Sequence, residues 1–463
     1  MPKNKPNILF FFTDDQRFDT IAALGNEHIK TPNIDRLVSE GTAFTHAYIP
    51  GGTCGAVCMP SRAMLHTGRT LFHLEDSGRE IPAEHTLLGE TLQKAGYRTF
   101  GTGKWHNGTR AYARSFTDGG EIFFGGMSDH WNVPAYSFDP EGRYDKRSKQ
   151  CANYFYSKDE LELTCDHITP GKHSSELFCE KAANFIKNYD SDDPFFMYVS
   201  FMAPHDPRVM PESFRRMYNE DSLPLPENFM PEHPFDKGEM CVRDELLAPL
   251  PRTSAMVREH LADYYAMITH LDSQVGMVLK ELENSGRYDD TIIIVAGDNG
   301  LALGQHGLFG KQNCYEHSLR VPLVFAGPDV PKDFRTDSLC YLLDIYPTLC
   351  DMIDVEVPAS VEGQSLLPCM KNAGDGREYL YLAYTQYIRG VRDKRHKLIE
   401  YNVEGKRTVQ LFDLENDPFE INNLAESPAA GEILERLKNK LHELSFEWDD
   451  RNSQWGKKFW EEK

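Results

Sequence analysis

Two oxygen-rich residue pairs follow apolar runs of the sequence. Asp14 and Asp15 come after the first run, and Asp298 and Asn299 come after a later one. Adjacent carboxylates repel each other, and a bound cation relieves that repulsion. A surface turn is the simpler explanation of either pair alone. Together, however, the pairs supply four hard oxygen ligands, which predicts a site for Ca²⁺ or Mg²⁺ and not for a soft metal.

Cationic or titratable side chains follow other apolar runs. Lys104 and His106 lie two residues apart, and His205 and Lys311 occupy similar loops. Any single histidine of this kind usually has a structural role. As a set, the lysines can place point charges on the non-bridging oxygens of a tetrahedral ester, while the histidines transfer protons. The combination predicts a pocket for a small anionic ester.

The elements that must position these residues alternate along the chain. Runs rich in Ile, Val and Phe are typical of strands buried on both faces of a sheet, and they occupy residues 8–13, 97–102, 195–201, 291–296 and 321–326. Helical patterns with capping residues lie between them, at 31–41, 86–95, 174–189 and 254–285. The alternation predicts an α/β fold whose large, mostly parallel sheet is sandwiched by helices. Ligands bind beyond the carboxyl ends of such strands, where the chemically capable residues fall.

The sequence pattern changes near residue 375. Short apolar runs separated by turn-like residues indicate an antiparallel meander, and they lie at 379–387, 387–391, 397–401 and 409–412. An amphipathic helical pattern follows at 431–444. We therefore predict a catalytic α/β domain over residues 1–372 and a smaller subdomain of antiparallel sheet plus helix over residues 373–463.

Composition excludes several classes of protein. The formal net charge of −21 argues against a general binder of nucleic acid or anionic membranes. A local cluster of Lys and His still attracts a small anion, because distant charge is screened within about 10 Å. No apolar run approaches the roughly 20 residues that a membrane span needs. The ten cysteines are scattered without zinc-ligand spacing, so we expect mostly buried free thiols.

The amino-terminal segment does not resemble an export signal. Its apolar run is short and ends in two acids instead of a small-residue cleavage site. As printed, the chain is therefore expected to be cytoplasmic. A chain from which an export signal had been removed would look the same, and it would be periplasmic or secreted.

The most specific pattern begins at Cys58. The segment from Cys58 to Arg69 has the form Cys-x-Pro-Ser-Arg followed by x-x-Leu-x-x-Gly-Arg. In this it resembles the type I sulfatases, a family of the alkaline phosphatase superfamily. Segments 96–106, 297–322 and 411–418 also resemble that family, in the same order. The resemblance thus covers nearly the whole chain, and four ordered motifs argue against chance.

The resemblance implies a sulfuric-ester hydrolase with two unusual components. Cys58 would be oxidised to formylglycine by a formylglycine-generating enzyme or an anaerobic sulfatase-maturating enzyme, and the hydrated aldehyde would supply the nucleophile. Ca²⁺, or alternatively Mg²⁺, would be held by Asp14, Asp15, Asp298, Asn299 and the oxygen at residue 58. Asn299 ranks as the weakest ligand, because some relatives carry histidine there.

The resemblance also assigns roles to the remaining site residues. Arg62, one helical turn past residue 58, would steady the nucleophile. Lys104 and Lys311 would bind the sulfate oxygens. His205 would contact the substrate and protonate the departing alcohol, and His106 would take up the proton that is released when the aldehyde is regenerated.

Three functions are compatible with these residues. The first is a sulfatase acting on a small sulfated saccharide derived from a glycosaminoglycan or another glycan. The second is a phosphonate monoester or phosphodiester hydrolase of the same superfamily, since both ester types are tetrahedral. The third, a binding protein on an inactive scaffold, is disfavoured because no catalytic position is replaced. Residues 206–250 are expected to form a long irregular excursion beside the pocket, and residues 123–134 fit a sugar-stacking loop and a packed loop equally well.

Overall fold

The computed structural model describes residues 5–151, 158–372 and 374–461. Its largest sheet has eight strands. In chain order they are β1 Asn7–Thr13, β2 Gly41–Phe44, β3 Arg98–Lys104, β4 Asp118–Phe123, β5 Phe195–Ser200, β6 Thr291–Gly297, β7 Leu323–Ala326 and β8 Phe334–Thr336. Across the sheet the order is β8-β2-β7-β6-β1-β5-β3-β4.

The sheet is mostly parallel, as predicted. Strand β1 pairs in parallel with β5 and β6, and β3 continues the parallel arrangement between β5 and β4. The run at 321–326 differs from the prediction because Pro322 has no backbone N–H and divides it. Its first part, Arg320–Val321, pairs with Ala47–Tyr48, and its second part, β7, lies antiparallel between β6 and β2.

Helices cover both faces of this sheet. Successive side chains of a strand point to opposite faces. Accordingly, Ile8 and Phe10 of β1 lie in one hydrophobic core, while Leu9 and Phe11 lie in the other. The helices that accompany the sheet are α1 Pro32–Glu40, α2 Cys58–Thr67, α3 Leu88–Lys94, α4 Thr109–Ser115, α5 Ser174–Lys187, α6 Ser254–Asn284 and α7 Ile345–Met352. The predicted helix-sandwiched α/β architecture is confirmed.

The carboxyl-terminal part contains an antiparallel meander. Its strands are β9 Leu380–Tyr384, β10 Ile388–Arg392, β11 His396–Val403 and β12 Lys406–Asp413, followed by helices α8 Gly431–Glu447 and α9 Gln454–Trp460. Gly51–Gly52, far earlier in the chain, adds a short parallel strand to β9. The Trp448 ring also packs on Tyr341. The domain boundary at residue 372 stays a prediction, because these contacts join the two parts.

The final helices are anchored by a buried ion pair. Arg389 and Asp450 are fully buried, with Nε–Oδ2 and Nη2–Oδ1 distances of 2.7 and 2.8 Å. Asp450 also accepts hydrogen bonds from Tyr381 and Trp460. Asp450→Ala is expected to lower the free energy of unfolding by about 3–5 kcal/mol, because it leaves the guanidinium buried and unpaired.

Urea denaturation measures this loss, and Glu435→Ala serves as the control. The Glu435 carboxylate is 70% exposed and pairs with Lys438 on the same helix. Its removal should change the unfolding free energy by less than about 0.5 kcal/mol. A loss below about 1 kcal/mol for Asp450→Ala would contradict an anchoring role.

The described residues contain neither a disulfide nor a helix that could span a membrane. The nine cysteines whose side chains are described are free thiols. Within the described ranges, the helices are too short or too polar to cross a lipid bilayer.

Candidate active site

Four adjacent parallel strands carry the predicted site residues at their carboxyl ends. Strands β6, β1, β5 and β3 are neighbours in that order. The loops after β6, β1 and β5 carry Asp298, Asp14 and His205 respectively, and β3 ends at Lys104. Side chains about 280 residues apart in the chain therefore meet at one edge of the sheet, as the rule for ligand sites in α/β folds requires.

The oxygen-rich pairs form one buried acidic centre. The Asp15 backbone N–H donates to Asp298 Oδ1 at 3.0 Å, and Asn299 Nδ2 donates to Asp15 Oδ1 at 2.6 Å. Ligand atoms of Asp14, Cys58 and Asp298 all lie within 4.8 Å of one another. Ligand atoms of Asp14, Asp15 and His205 also lie within 4.8 Å of one another.

This centre fits a hard cation. Asp14 Oδ1 and Asn299 Oδ1 are buried, and neither has a hydrogen-bond partner among the described residues. Unpaired buried acceptors are rare in native structures, and a bound ion is one explanation for them. The donors are carboxylate and amide oxygens, which Ca²⁺ and Mg²⁺ prefer. The ligand set predicted from the sequence is thus brought together, and its metal stays a prediction.

The acidic centre has an asymmetric charge state. Burial and the neighbouring Asp14 raise the pKa of Asp298 to about 7, against the opposing effect of Arg62. Burial acts in the same direction on Asp14, but Lys104 and Arg62 hold the pKa of Asp14 well below its ordinary value. One carboxyl of the pair therefore takes up a proton near neutral pH when no cation is bound.

Three buried cations surround the acidic centre. Arg62 places Nε at 2.9 Å and Nη2 at 2.8 Å from Asp298 Oδ2. Lys104 Nζ contacts Asp14 and lies 3.7 Å from Cys58 Sγ. Lys311 Nζ lies 2.6 Å from Asp15 Oδ1. Burial would lower the pKa of Lys311, but Asp15 and other acids hold it well above its usual value, so this lysine is charged.

Two histidines face the same space as these cations. His106 Nδ1 lies 3.5 Å from Cys58 Sγ. The backbone of His106 is in the left-handed region, with a φ of 77°. Burial, with Lys104 and Arg62, lowers the pKa of His106 well below its usual value, so its ring is neutral and can accept a proton. His205 Nδ1 lies 2.8 Å from the Asp206 backbone oxygen. A carbonyl oxygen only accepts, so Nδ1 carries a proton, and Nε2 is the nitrogen that can contact a bound molecule.

Cys58 occupies the first position of helix α2 and is almost completely buried. Burial raises the pKa of its thiol to about 12, although Lys104 and Lys311 act in the opposite direction. A thiol in this state is a poor nucleophile, because the thiolate is the reactive form. Asn107 fixes the start of the helix by donating hydrogen bonds to the Met59 and Gly78 carbonyls at 2.9 and 2.6 Å.

A cavity of about 350 Å³ opens above Cys58. His106, His205 and Lys311 line it together with residues that the sequence did not single out, which are Gly55, Ala56, Gly126, Met127, Val242, Arg243, Asp244 and Gln312. Residues 242–244 belong to the predicted excursion, so that segment does wall the pocket. In the loop 123–134, Met127 faces the cavity, whereas His130 is buried and contacts the His205 backbone oxygen at 3.0 Å. That loop is therefore partly lining and partly packed.

Paired lysines and histidines over an acidic centre define the class of hydrolases that cleave esters of tetrahedral oxyanions. Comparison with known families makes the class specific. The family model described as Sulfatase matches residues 6–355. A second model, described as N-sulphoglucosamine sulphohydrolase, C-terminal, matches residues 304–447. The chain belongs to the sulfatase family, and it is a sulfuric-ester hydrolase.

Individual relatives are similar over almost the entire length. An N-acetylglucosamine-6-O-sulfatase of Bacteroides thetaiotaomicron is 26% identical, over 97% of this chain and 88% of the relative. A solved structure described as a complex with its substrate D-glucosamine-2-N,6-O-disulfate has a TM-score of 0.74 and 25% identity, covering 96% of this chain and 99% of that one. The phosphonate monoester hydrolase of Agrobacterium radiobacter shares the fold, with a TM-score of 0.75 and 21% identity over 96% of both chains.

Proposed function

We propose that this sulfatase hydrolyses a sulfate ester on a small saccharide derived from a glycosaminoglycan or another glycan. The observation that carries the proposal is the cavity above Cys58, whose base holds cations and whose wall carries hydrogen-bonding side chains. Two of the similar proteins are described as acting on sulfated glucosamine derivatives, which supports the same substrate class.

The proposed cofactors are formylglycine at residue 58 and Ca²⁺, with Mg²⁺ as the alternative. The Cys58 Sγ atom marks the place of the oxygen in the mature residue, and a sulfatase-maturating enzyme would perform the oxidation. Asp14, Asp15, Asp298 and Asn299 would hold the cation together with that oxygen. When bound, the cation would promote ionisation of the residue-58 hydroxyl, which provides the nucleophile at neutral pH.

The protein's own side chains would bind the ester and move its protons. Lys104 Nζ lies 3.7 Å from Cys58 Sγ, and Lys311 lines the same cavity as Cys58. Both lysines would contact the sulfate oxygens, where negative charge is high throughout the reaction. Arg62 holds Asp298 in place through two contacts. With a proton on each ring nitrogen, His205 would donate the Nε2 proton to the departing alcohol oxygen. Neutral His106 would accept a proton from residue 58 in the second half-reaction.

A substrate panel tests the proposed class. Sulfated mono- and disaccharides, an aryl sulfate and a phenyl phosphonate monoester would be compared by kcat/KM. We expect one or more saccharide sulfates to exceed the phosphonate in kcat/KM by at least about 100-fold. Both esters are monoanions, but the phosphonate carries a carbon in place of one non-bridging oxygen and so offers one oxygen fewer to the buried lysines. A preference for the phosphonate would instead favour the alternative hydrolase of the same superfamily.

His205 is expected to matter most for poor leaving groups. His205→Gln should reduce kcat for a saccharide sulfate by about 10²-fold or more, because an alkoxide leaves slowly without protonation. The same variant should reduce kcat for 4-nitrophenyl sulfate much less, because nitrophenolate needs no proton to depart. Steady-state kinetics on both substrates measures the difference. An equal loss on both would contradict the general-acid role.

A further inference from the structure

The wall of the active-site cavity differs in charge from its base. Lys311 and His205 are buried, whereas Arg243 is exposed and Asp244 is partly exposed. The Arg243 side chain is 47% exposed, in contrast to 3% for Lys311. A molecule with its sulfate over Cys58 would therefore place its alcohol portion against residues 242–244.

The Arg243 guanidinium is paired with acidic side chains of the wall. Its guanidinium makes a two-point contact with the Asp206 carboxylate, in which Nη1 lies 3.0 Å from Oδ1 and Nη2 contacts Oδ2. Nη1 also lies 3.2 Å from Asp244 Oδ1. Such two-point pairs fix the plane of the guanidinium, and the three contacts use three of its five N–H donors. Two carboxylates therefore share one guanidinium, so these three side chains together carry one net negative charge.

Asp244 is held in place but retains acceptor capacity. Its Oδ2 accepts a hydrogen bond from Gln312 Nε2 at 2.6 Å, and Gln312 also donates to the Gly55 carbonyl at 2.9 Å. Each carboxylate oxygen has two acceptor positions, so both oxygens of Asp244 can accept a further donor from the cavity. Although burial opposes it, the charge of Lys311 and the Gln312 hydrogen bond lower the pKa of Asp244, which is therefore ionised.

We propose that Asp244 is a specificity-determining residue, which accepts a hydrogen bond from a hydroxyl or ammonium group next to the sulfate ester. The enzyme consequently prefers monosulfated substrates whose alcohol portion is neutral or cationic, and it disfavours a second sulfate or a carboxylate at that position. Asp206 contributes by keeping Arg243 paired. The saccharide identity of the alcohol portion rests on the proposed function. The charge preference of Asp244 does not, because it applies to any sulfate ester that the cavity admits.

Two matched pairs of substrates test the preference. The first pair is 3-(aminomethyl)phenyl sulfate and 3-carboxyphenyl sulfate, and the second is glucosamine 6-sulfate with a free and with an N-sulfated amine. In the wild-type enzyme, kcat/KM should be at least about 10-fold higher for the cationic member of each pair, as one charge at short range predicts. The ratio should fall as KCl is added, because salt screens the exposed wall.

Variants assign the ratio to particular residues. Asp244→Asn should reduce the ratio to within about 3-fold of unity, because the amide keeps the shape and loses the charge. Asp206→Asn should also reduce the ratio, because it releases Arg243, which can then contact the carboxylate of the anionic substrate. Asp192→Asn, a charge loss on an exposed loop, should leave the ratio unchanged. A ratio is insensitive to general damage, because both substrates meet the same protein.

The outcomes separate this inference from the proposed function. A wild-type ratio near unity, a preference for the anionic member, or an unchanged ratio in Asp244→Asn would overturn the role of Asp244. If the aryl pair shows the expected ratio while no saccharide sulfate is cleaved, the role of Asp244 stands and the saccharide proposal fails. If saccharide sulfates are cleaved without charge preference, the saccharide proposal stands and the role of Asp244 fails.

Discussion

Replacement of Cys58 by serine is expected to reduce kcat for sulfate esters by at least about 10³-fold. Serine has a single hydroxyl, so a sulfate group transferred to it would have no neighbouring hydroxyl to expel it. The unmodified cysteine should be equally inactive, because burial raises the pKa of its thiol to about 12 and leaves little thiolate at neutral pH. Activity should therefore follow the fraction of chains in which residue 58 is an aldehyde.

Mass spectrometry of the peptide that contains residue 58, combined with kinetics on the same preparations, measures this relation. Cys54→Ser is the matched control, since Cys54 lies four residues earlier, is partly exposed and donates weakly to the Ala56 carbonyl at 3.5 Å. It should retain activity within about twofold of the wild type. Full activity in a preparation whose residue-58 thiol is intact would overturn the formylglycine mechanism.

The predictable part of the site is the part that rests on strand ends and on helix spacing. Arg62 follows Cys58 by one helical turn, so the two side chains share a face of α2. Asp14 and Asp298 follow buried strands that pair in parallel, which places them at one edge of the sheet. Both relations depend only on local pattern and on the general topology of α/β folds. The apolar runs were sufficient to indicate the second relation, whereas the role of Arg62 was implied by the resemblance to the sulfatases.

Strand β4 and the cavity-lining residues of the excursion were not predicted, because their residue types are set by contacts with residues that are distant in the sequence. Strand β4 has no apolar pattern, since its glycines accommodate close neighbours. A Cβ atom at Gly119 would lie 2.3 Å from the Tyr112 hydroxyl. Likewise, Arg243 and Asp244 lie in an irregular excursion, and their position depends on the pairing with Asp206 and Gln312. The presence of a long excursion was predictable, whereas the identity of the side chains that it presents was not.

The acidic centre is expected to bind its cation more weakly as the pH falls below about 7. Asp298 lies beside Asp14, and its pKa of about 7 in the metal-free protein arises from burial and from that neighbour. A cation requires the ionised carboxylate, so it must displace a proton below this pH. The apparent affinity should therefore fall about tenfold per pH unit below pH 7 and level off above it.

Calorimetric titration of metal-depleted protein with CaCl₂ between pH 5.5 and 8 measures the effect, and buffers of different ionisation enthalpy report the released proton. Removal of the cation should also reduce kcat by at least about 10³-fold, with recovery when Ca²⁺ is restored. Asp298→Asn should bind weakly and lose most of the pH dependence, because it cannot take up the proton. Asp192→Asn should behave like the wild type. Equal affinity at pH 5.5 and pH 7.5 would show that the proton is not bound to Asp298.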